Sequence, residues 1–226
     1  METIAKGYEA RQDVISQIEQ NGQNTETSKA YKKFINTELD IDKELKDAKF
    51  KDSQMQEDVL SYINSLQGQL DVVENNSPSS DSFYTEWSDA YDKRSSALKG
   101  LVEKYDLTVS DKYKDDFDDI VANGTAATKK NEQADGLANN FNNVALDCTD
   151  DGYGNYTYSA VVENTTQYTY SNVTLTLGLY DADGVRQDEA YADVNSWAPG
   201  EKVRLEAYGT VGVQSMKVEP TYYKAK

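Results

Sequence analysis

NVTLTLGLYDADGVRQDEAYADVNSWAPG, Asn172–Gly200, is the stretch that decides how this chain is read. Val173, Leu175, Leu177 and Leu179 alternate with Thr174, Thr176, Gly178 and Tyr180. A period of two marks a strand with one buried face. Asp181-Ala-Asp-Gly184 follows, and Gly184 can take the positive φ of a tight hairpin turn. A more polar strand returns and is broken by Trp197-Ala-Pro-Gly200.

The same rhythm extends in both directions. Upstream, Val144, Leu146 and Cys148 alternate, Asp150–Gly154 turns the chain, and Tyr156, Tyr158, Ala160 and Val162 form a further strand. Downstream come Val203, Leu205 and Ala207, then Val213, Met216 and Val218. Six or seven short antiparallel strands with regular turns predict a small sandwich over 143–226.

Before residue 143 the spacing is of threes and fours, so 1–142 reads as helix. Ile4, Tyr8, Ile15 and Ile18 share a stripe, with the polar Arg11 in phase, and Asn21-Gly22 stops the helix. The next stripe runs Tyr31, Phe34, Ile41, Leu45, Ala48, Met55, Val59, Tyr62, Leu66 and Val73. Glu38, Asp52 and Gln69 interrupt it with polar side chains. Its unbroken phase predicts one long helix across 27–75, against which the capping box Ser53-x-x-Gln56 marks a fresh start near Lys51. Asn75–Ser80 is a linker with Pro78 suited to a helix start. Tyr84, Trp87, Tyr91, Leu98, Leu101 and Tyr105 form the next stripe, and Leu107–Ser110 breaks it. Tyr113, Phe117, Ile120, Ala127, Ala134, Leu137 and Phe141 make the last, with a kink expected at Asn123-Gly124. The reading is an α+β multidomain chain: an elongated antiparallel helical bundle at 1–142, then a small antiparallel β-sandwich at 143–226, which the resemblance set out below makes immunoglobulin-like.

Charge narrows the partners. Asp and Glu number 40 against 23 Lys and Arg, a net charge of −17. Residues 1–142 carry 28 acidic and 17 basic side chains, and the rest carry 12 and 6, so both parts are acidic. Nucleic-acid phosphates and anionic lipid heads are repelled by such a surface. Histidine is absent, which removes the usual general base and the commonest transition-metal ligand. The single cysteine, Cys148, excludes an intrachain disulfide and reads as a small buried apolar residue. No apolar run is long enough to span a membrane. Met1-Glu-Thr-Ile opens directly on an amphipathic pattern, as in a cytosolic chain or one trimmed of its export segment.

Within the sandwich region, Glu163-Asn164, Val173–Leu179, Tyr180-Asp181, Asp183-Gly184 and Ala198-Pro-Gly-Glu201 resemble the FxLYD domain. The resemblance covers about 143–223 and none of the helical part. The motif reads Leu177-Gly-Leu-Tyr-Asp181 here, with leucine in place of phenylalanine, which keeps an inward apolar residue. Such domains are small immunoglobulin-like sandwiches on bacterial and archaeal envelope proteins. The resemblance implies an extracytoplasmic protein, at the cell surface or membrane-anchored, with a role in display or interaction. It carries over no catalytic residue.

Each candidate site has a plainer explanation in the fold. Asp181, Asp183 and Gly184 look like the opening of a calcium loop, but the further ligands and distal Glu are missing and a hairpin turn explains them. Asp147, Asp150 and Asp151 read the same way. The acidic run Asp111–Asp119 suits a solvated helix start. Trp197, Tyr191 and Tyr208 could stack on glycans, although strands are rich in aromatics generally. Asn-x-Ser/Thr triplets stand at Asn75, Asn123, Asn155, Asn164 and Asn172. No catalytic residue, metal ligand or cofactor is assigned, and the ligand-binding residues are unknown. The expected function is non-enzymatic: a helical stalk or bundle plus an immunoglobulin-like module that contacts a protein partner at the envelope, with membrane attachment only through a tether outside this sequence. The alternatives are a solute- or glycan-binding lipoprotein with its site between the two domains, and a hydrolase working through paired carboxylates.

Overall fold

A computed structural model describes residues 1–142, 144, 147–213 and 215–226. The chain forms two compact units, Met1–Lys129 and Lys130–Lys226. Five α-helices come first: α1 (Glu2–Gln20), α2 (Ser28–Asp42), α3 (Ser53–Asn75), α4 (Asp81–Tyr105) and α5 (Lys114–Asn139). Six strands follow: β1 (Asp147–Asp150), β2 (Tyr156–Glu163), β3 (Tyr170–Tyr180), β4 (Arg186–Trp197), β5 (Lys202–Gly209) and β6 (Ser215–Ala225). A helical region followed by a two-sheet β-sandwich is the architecture.

In the first unit the apolar stripes face one another. Ile4, Tyr8, Val59, Tyr62, Ile63, Leu66, Leu98, Leu101, Phe117 and Ile120 are buried in one cluster. Phe34, Ile35, Leu70, Val73 and Phe83 form a second, where Tyr31, Phe83 and Trp87 pack ring on ring at 4.5–5.7 Å between centroids. Each fully buried aliphatic or aromatic side chain is worth about 1.5–3 kcal/mol.

The single helix expected across 27–75 is two helices. α2 ends at Asp42, a 3-10 turn covers Lys43–Leu45, and α3 starts at Ser53. The start is fixed by Asp52, whose carboxylate accepts from the N–H groups of Gln54 (2.9 Å) and Met55 (3.3 Å). That is an N-cap one residue ahead of the expected box. The hydrophobic phase survives the break because both helices face the same core. Elsewhere α1 stops at Asn21-Gly22 and α4 stops at Tyr105, where Asp106 takes a left-handed φ of 52°. α5 runs as one continuous helix through Asn123-Gly124. Gly124 is instead a contact point: a β-carbon built there would lie 2.1 Å from the Ser95 carbonyl oxygen of α4.

In the second unit β1-β2-β5 and β4-β3-β6 form two antiparallel sheets. Val173, Leu175, Leu177 and Leu179 of β3 are buried, facing Tyr158, Ala160, Val162, Leu205 and Ala207 of the other sheet. β4 and β5 lie against each other along one side of the sandwich, so β1 and β6 bound the other. The order corresponds to strands A-B-E and C′-C-F of an immunoglobulin-like sandwich. The change of period falls at 142/143, yet the unit begins at Lys130. The reason is that Leu137 and Phe141 belong to the sandwich core, Phe141 lying 5.9 Å from the Trp197 ring. Gln133 accepts from the Tyr170 hydroxyl (2.8 Å) and Asn140 from Thr165 (N–H 3.0 Å, hydroxyl 2.7 Å). Of the strand expected from Val144, Leu146 lies outside the described residues and β1 starts at Asp147.

Candidate functional site

Two places stand apart from ordinary packing, one in each unit. In the helical unit, four helices each deliver polar side chains to one buried point. α1 supplies Arg11, α2 Glu38 and Asp42, α3 Tyr62 and Gln69, and α4 Arg94, every one of them buried. Arg11 donates to Glu38 (3.0 Å) and to Gln69 (3.1 Å). Arg94 donates to both Glu38 oxygens (3.1 Å each) and to the Tyr62 hydroxyl (3.3 Å), and Tyr62 donates to Glu38. The Arg11 guanidinium also lies 4.7 Å from the Phe34 ring centroid. Glu38 is thus a doubly paired carboxylate. Burial opposes its ionisation, but the guanidinium groups of Arg94 and Arg11 outweigh burial and hold its pKa below the usual range.

Asp42 is the exception in this cluster. It sits one turn beyond Glu38 at the C-terminus of α2, where a negative charge opposes the helix dipole. Neither of its oxygens has a hydrogen-bond partner, nor do Gln69 Nε2 and Arg94 Nε. Its carboxyl group rests on Gly7 of α1, where a β-carbon would come within 2.7 Å of Oδ1. Burial first, and the Glu38 charge second, push its pKa up to about 8 against Arg94's opposing pull. With Asp42 protonated the cluster carries two cations and one anion. Arg11 and Arg94 expose 4% and 2% of their surface, and Glu38, Asp42, Tyr62 and Gln69 expose none. A cluster so enclosed ties α1, α2, α3 and α4 together through side-chain hydrogen bonds.

The larger of the two described grooves is in the sandwich unit. A groove of about 570 Å³ runs between β1 and β6, with Phe141, Val144 and Cys148 on one wall. The other wall is the edge of β6, Ser215–Glu219, five consecutive residues. Among the described residues β6 pairs with β3 alone, on one side. Met216 and Val218 point inward, opposite Leu179 and Leu177, and are half-buried against the core. An edge like this offers a row of backbone donors and acceptors with apolar side chains beneath. Cys148, expected to be buried, is exposed at the rim of this groove, because β1 is a four-residue edge strand that pairs, among the described residues, with β2 alone.

The residues singled out from sequence fall outside both places. Asp181 accepts from the N–H groups of Asp183 and Val185 (2.9 Å each), and Gly184 has φ 76°, so this is the hairpin turn. Asp150 and Asp151 likewise cap their loop, accepting from Gly152 (2.7 Å) and from Tyr153 and Asn155 (2.7 and 3.1 Å), while Asp147 lies exposed on β1. Asp115 and Asp116 occupy the first turn of α5, and Asp118 pairs with Lys114. Among the described residues no group of three or more acidic or thiol ligands could hold a metal ion. Trp197 is wholly buried, its indole N–H donating to the Glu201 carbonyl (2.9 Å), so it cannot stack on a glycan. Tyr191 and Tyr208 are exposed, on different sheets. Asn164 is buried, donating to the Tyr168 and Trp197 carbonyls (2.8 and 3.1 Å), and Asn123 donates to Asp92, whereas Asn75, Asn155 and Asn172 are exposed. No described helix is long and apolar enough to cross a membrane.

Arg94 and Asp42 escaped the sequence reading, although Arg94 fills the gap between Tyr91 and Leu98 in its stripe and Asp42 follows Glu38 by four. Comparison with protein families, with curated proteins and with solved structures finds no match to this chain.

Proposed function

We propose that this chain is a non-enzymatic interaction protein of the cell envelope, in which the sandwich makes the contact and does so by strand addition at β6. The observation that carries the reading is that the eleven-residue β6 pairs, among the described residues, on one side only, and that its other edge lines an open groove. Edges of this kind take up an extended polypeptide, the backbone ladder giving affinity and the pockets between alternate side chains giving selectivity. The position beyond β6 is the one a G strand fills in an immunoglobulin-like sandwich. The envelope address rests on the FxLYD resemblance of 143–223, and the acidic surface of both parts suits a protein contact better than nucleic acid or anionic lipid.

Site-specific photo-crosslinking from Glu219 on β6 and from Arg204 on β5 tests this reading. Both side chains are exposed, but Glu219 lines the groove along β6, whereas the free side of β5 faces β4. In the producing cells a covalent protein adduct is expected from Glu219 and not from Arg204. Brief protease treatment of the intact cells is expected to remove the sandwich. Equal adducts from both positions would refute the β6 contact, and protection until lysis would refute the address.

A further inference from the structure

We infer that the strand added to β6 is the β6 of a second copy of this chain, antiparallel, about a two-fold axis at Val218. This rests on the reading that β6 is the contact strand and names its partner. The argument comes from the charges along the edge. On the outer face of β6, Lys217 stands opposite Gly178 of β3 and Glu219 opposite Thr176. Among the described residues neither of these two charged side chains has an ion-pair partner within the molecule, unlike Arg186 and Glu189 on the same sheet. Lys217 is held on the outer face, its Nζ lying 5.6 Å from the centroid of the Tyr180 ring.

Two unpaired charges of opposite sign, two residues apart on one face, complement themselves when the strand is reversed. With Val218 opposite Val218 of the second copy, Lys217 of each chain faces Glu219 of the other on the outer face. Directly opposite side chains in such a pair have β-carbons about 4.5–5.5 Å apart, close enough for an ion pair. The neighbouring registers that keep the same faces together are excluded by charge. Centring the pair on Lys217 sets lysine against lysine, and centring it on Glu219 sets glutamate against glutamate. Parallel pairing in register places each charge beside its own kind. Only the Val218 register pairs all four charges, and it is the self-complementary arrangement that a two-fold interface requires.

The inner face agrees. In this register Val218 meets Val218, and Met216 meets Pro220 of the second copy, over the groove these half-buried residues now line. Pro220 has no N–H, so the ladder loses one donor at each end. The result is a short, weak, reversible dimer that joins two three-stranded sheets into one of six strands.

Sedimentation of the full chain between about 10 µM and about 1 mM, the range of small transient interfaces, tests the inference. The wild type is expected to pass from monomer to dimer in that range. Lys217→Glu and Glu219→Lys are each expected to weaken dimerisation at least about tenfold, the loss of two close charge pairs. The double swap Lys217→Glu/Glu219→Lys is expected to return it to within about threefold of wild type, since it restores both pairs. In a Cys148→Ser background, Val218→Cys is expected to form an interchain disulfide in air, because a residue opposite itself brings its Cα atoms within bridging distance. Val161→Cys, exposed on β2, is expected not to.

A monomer throughout the range, single reversals without effect, or a double swap that fails to recover would each overturn the inference. So would cross-linking at Val161 as fast as at Val218. If the chain is monomeric while Glu219 still traps a different protein, the second copy is wrong and the β6 contact stands. If neither is found, both fall.

Discussion

Replacing Asp42 with asparagine is expected to stabilise the helical unit strongly and in a pH-dependent way. The ordinary pKa of this carboxyl is 3.8, and burial against Gly7, unrelieved by any hydrogen bond, raises it to about 8 in the folded protein. A carboxyl whose folded pKa lies above its unfolded value contributes its full stability below the unfolded pKa. It loses that contribution as pH rises through the window, here from 3.8 to about 8. At about 1.4 kcal/mol for each pKa unit, the burial of Asp42 costs the fold roughly 4 kcal/mol at pH 7, where the carboxyl is held protonated, and about 6 kcal/mol above pH 8, where it is a buried charge. Asparagine has nearly the same shape and no proton to bind, so Asp42→Asn removes the cost. Its amide leaves a donor unpaired much as the protonated acid does, so the two proteins are expected to coincide near pH 3.5. Urea unfolding of the full chain followed by circular dichroism at 222 nm, where the helices dominate, measures this at a series of pH values. The difference in stability between variant and wild type should climb by about 1.4 kcal/mol per pH unit from pH 4 to pH 8 and then level off. A difference that is flat with pH, or a destabilised variant at pH 8, would refute the assignment of Asp42 as a buried acid held neutral.

Three further outcomes follow from the same packing. Glu38→Ala strands Arg11 and Arg94 in the core without their carboxylate and is expected to cost about 3–5 kcal/mol in the same urea assay at pH 7. Gly124→Ala drives a β-carbon into the Ser95 carbonyl and is expected to destabilise by at least about 2 kcal/mol, whereas Gly68→Ala, with open space around it, is expected to stabilise α3 by about 0.5–1 kcal/mol. Cys148 is exposed, so a thiol reagent should modify it in the native protein as fast as in urea, and Cys148→Ser should leave the unfolding midpoint unchanged.

The sandwich was legible because a strand buried on one face writes its burial directly into alternate residues, as Val173–Leu179 does. The turn at Asp181–Gly184 was legible because its residue types serve local hydrogen bonds. The long-helix expectation failed because hydrophobic phase reports which core a segment faces, and α2 and α3 face the same one. The break is recorded only in the carboxylate of Asp52. For the buried cluster, Arg11, Glu38 and Gln69 already stood in phase with apolar stripes. That a polar residue in such a stripe is buried can be read from spacing, but its partners come from other helices and cannot. Cys148 was misjudged because alternation shows which face a residue takes and not whether a neighbouring strand covers it. The open edge of β6 is legible in no local pattern, since whether a strand has one neighbour or two is a property of topology.

Leu137, in the last turn of α5, and Phe141, two residues past its end, lie in the sandwich core with Trp197. The heritable piece is therefore longer than its sheets. Were this module copied into another protein from residue 143 onward, it would arrive with its largest indole uncovered and a hydroxyl at Tyr170 without its acceptor. A transplant that begins at Lys130 carries roughly three turns of its own lid, and on that reckoning the sandwich travels intact only with part of a helix attached.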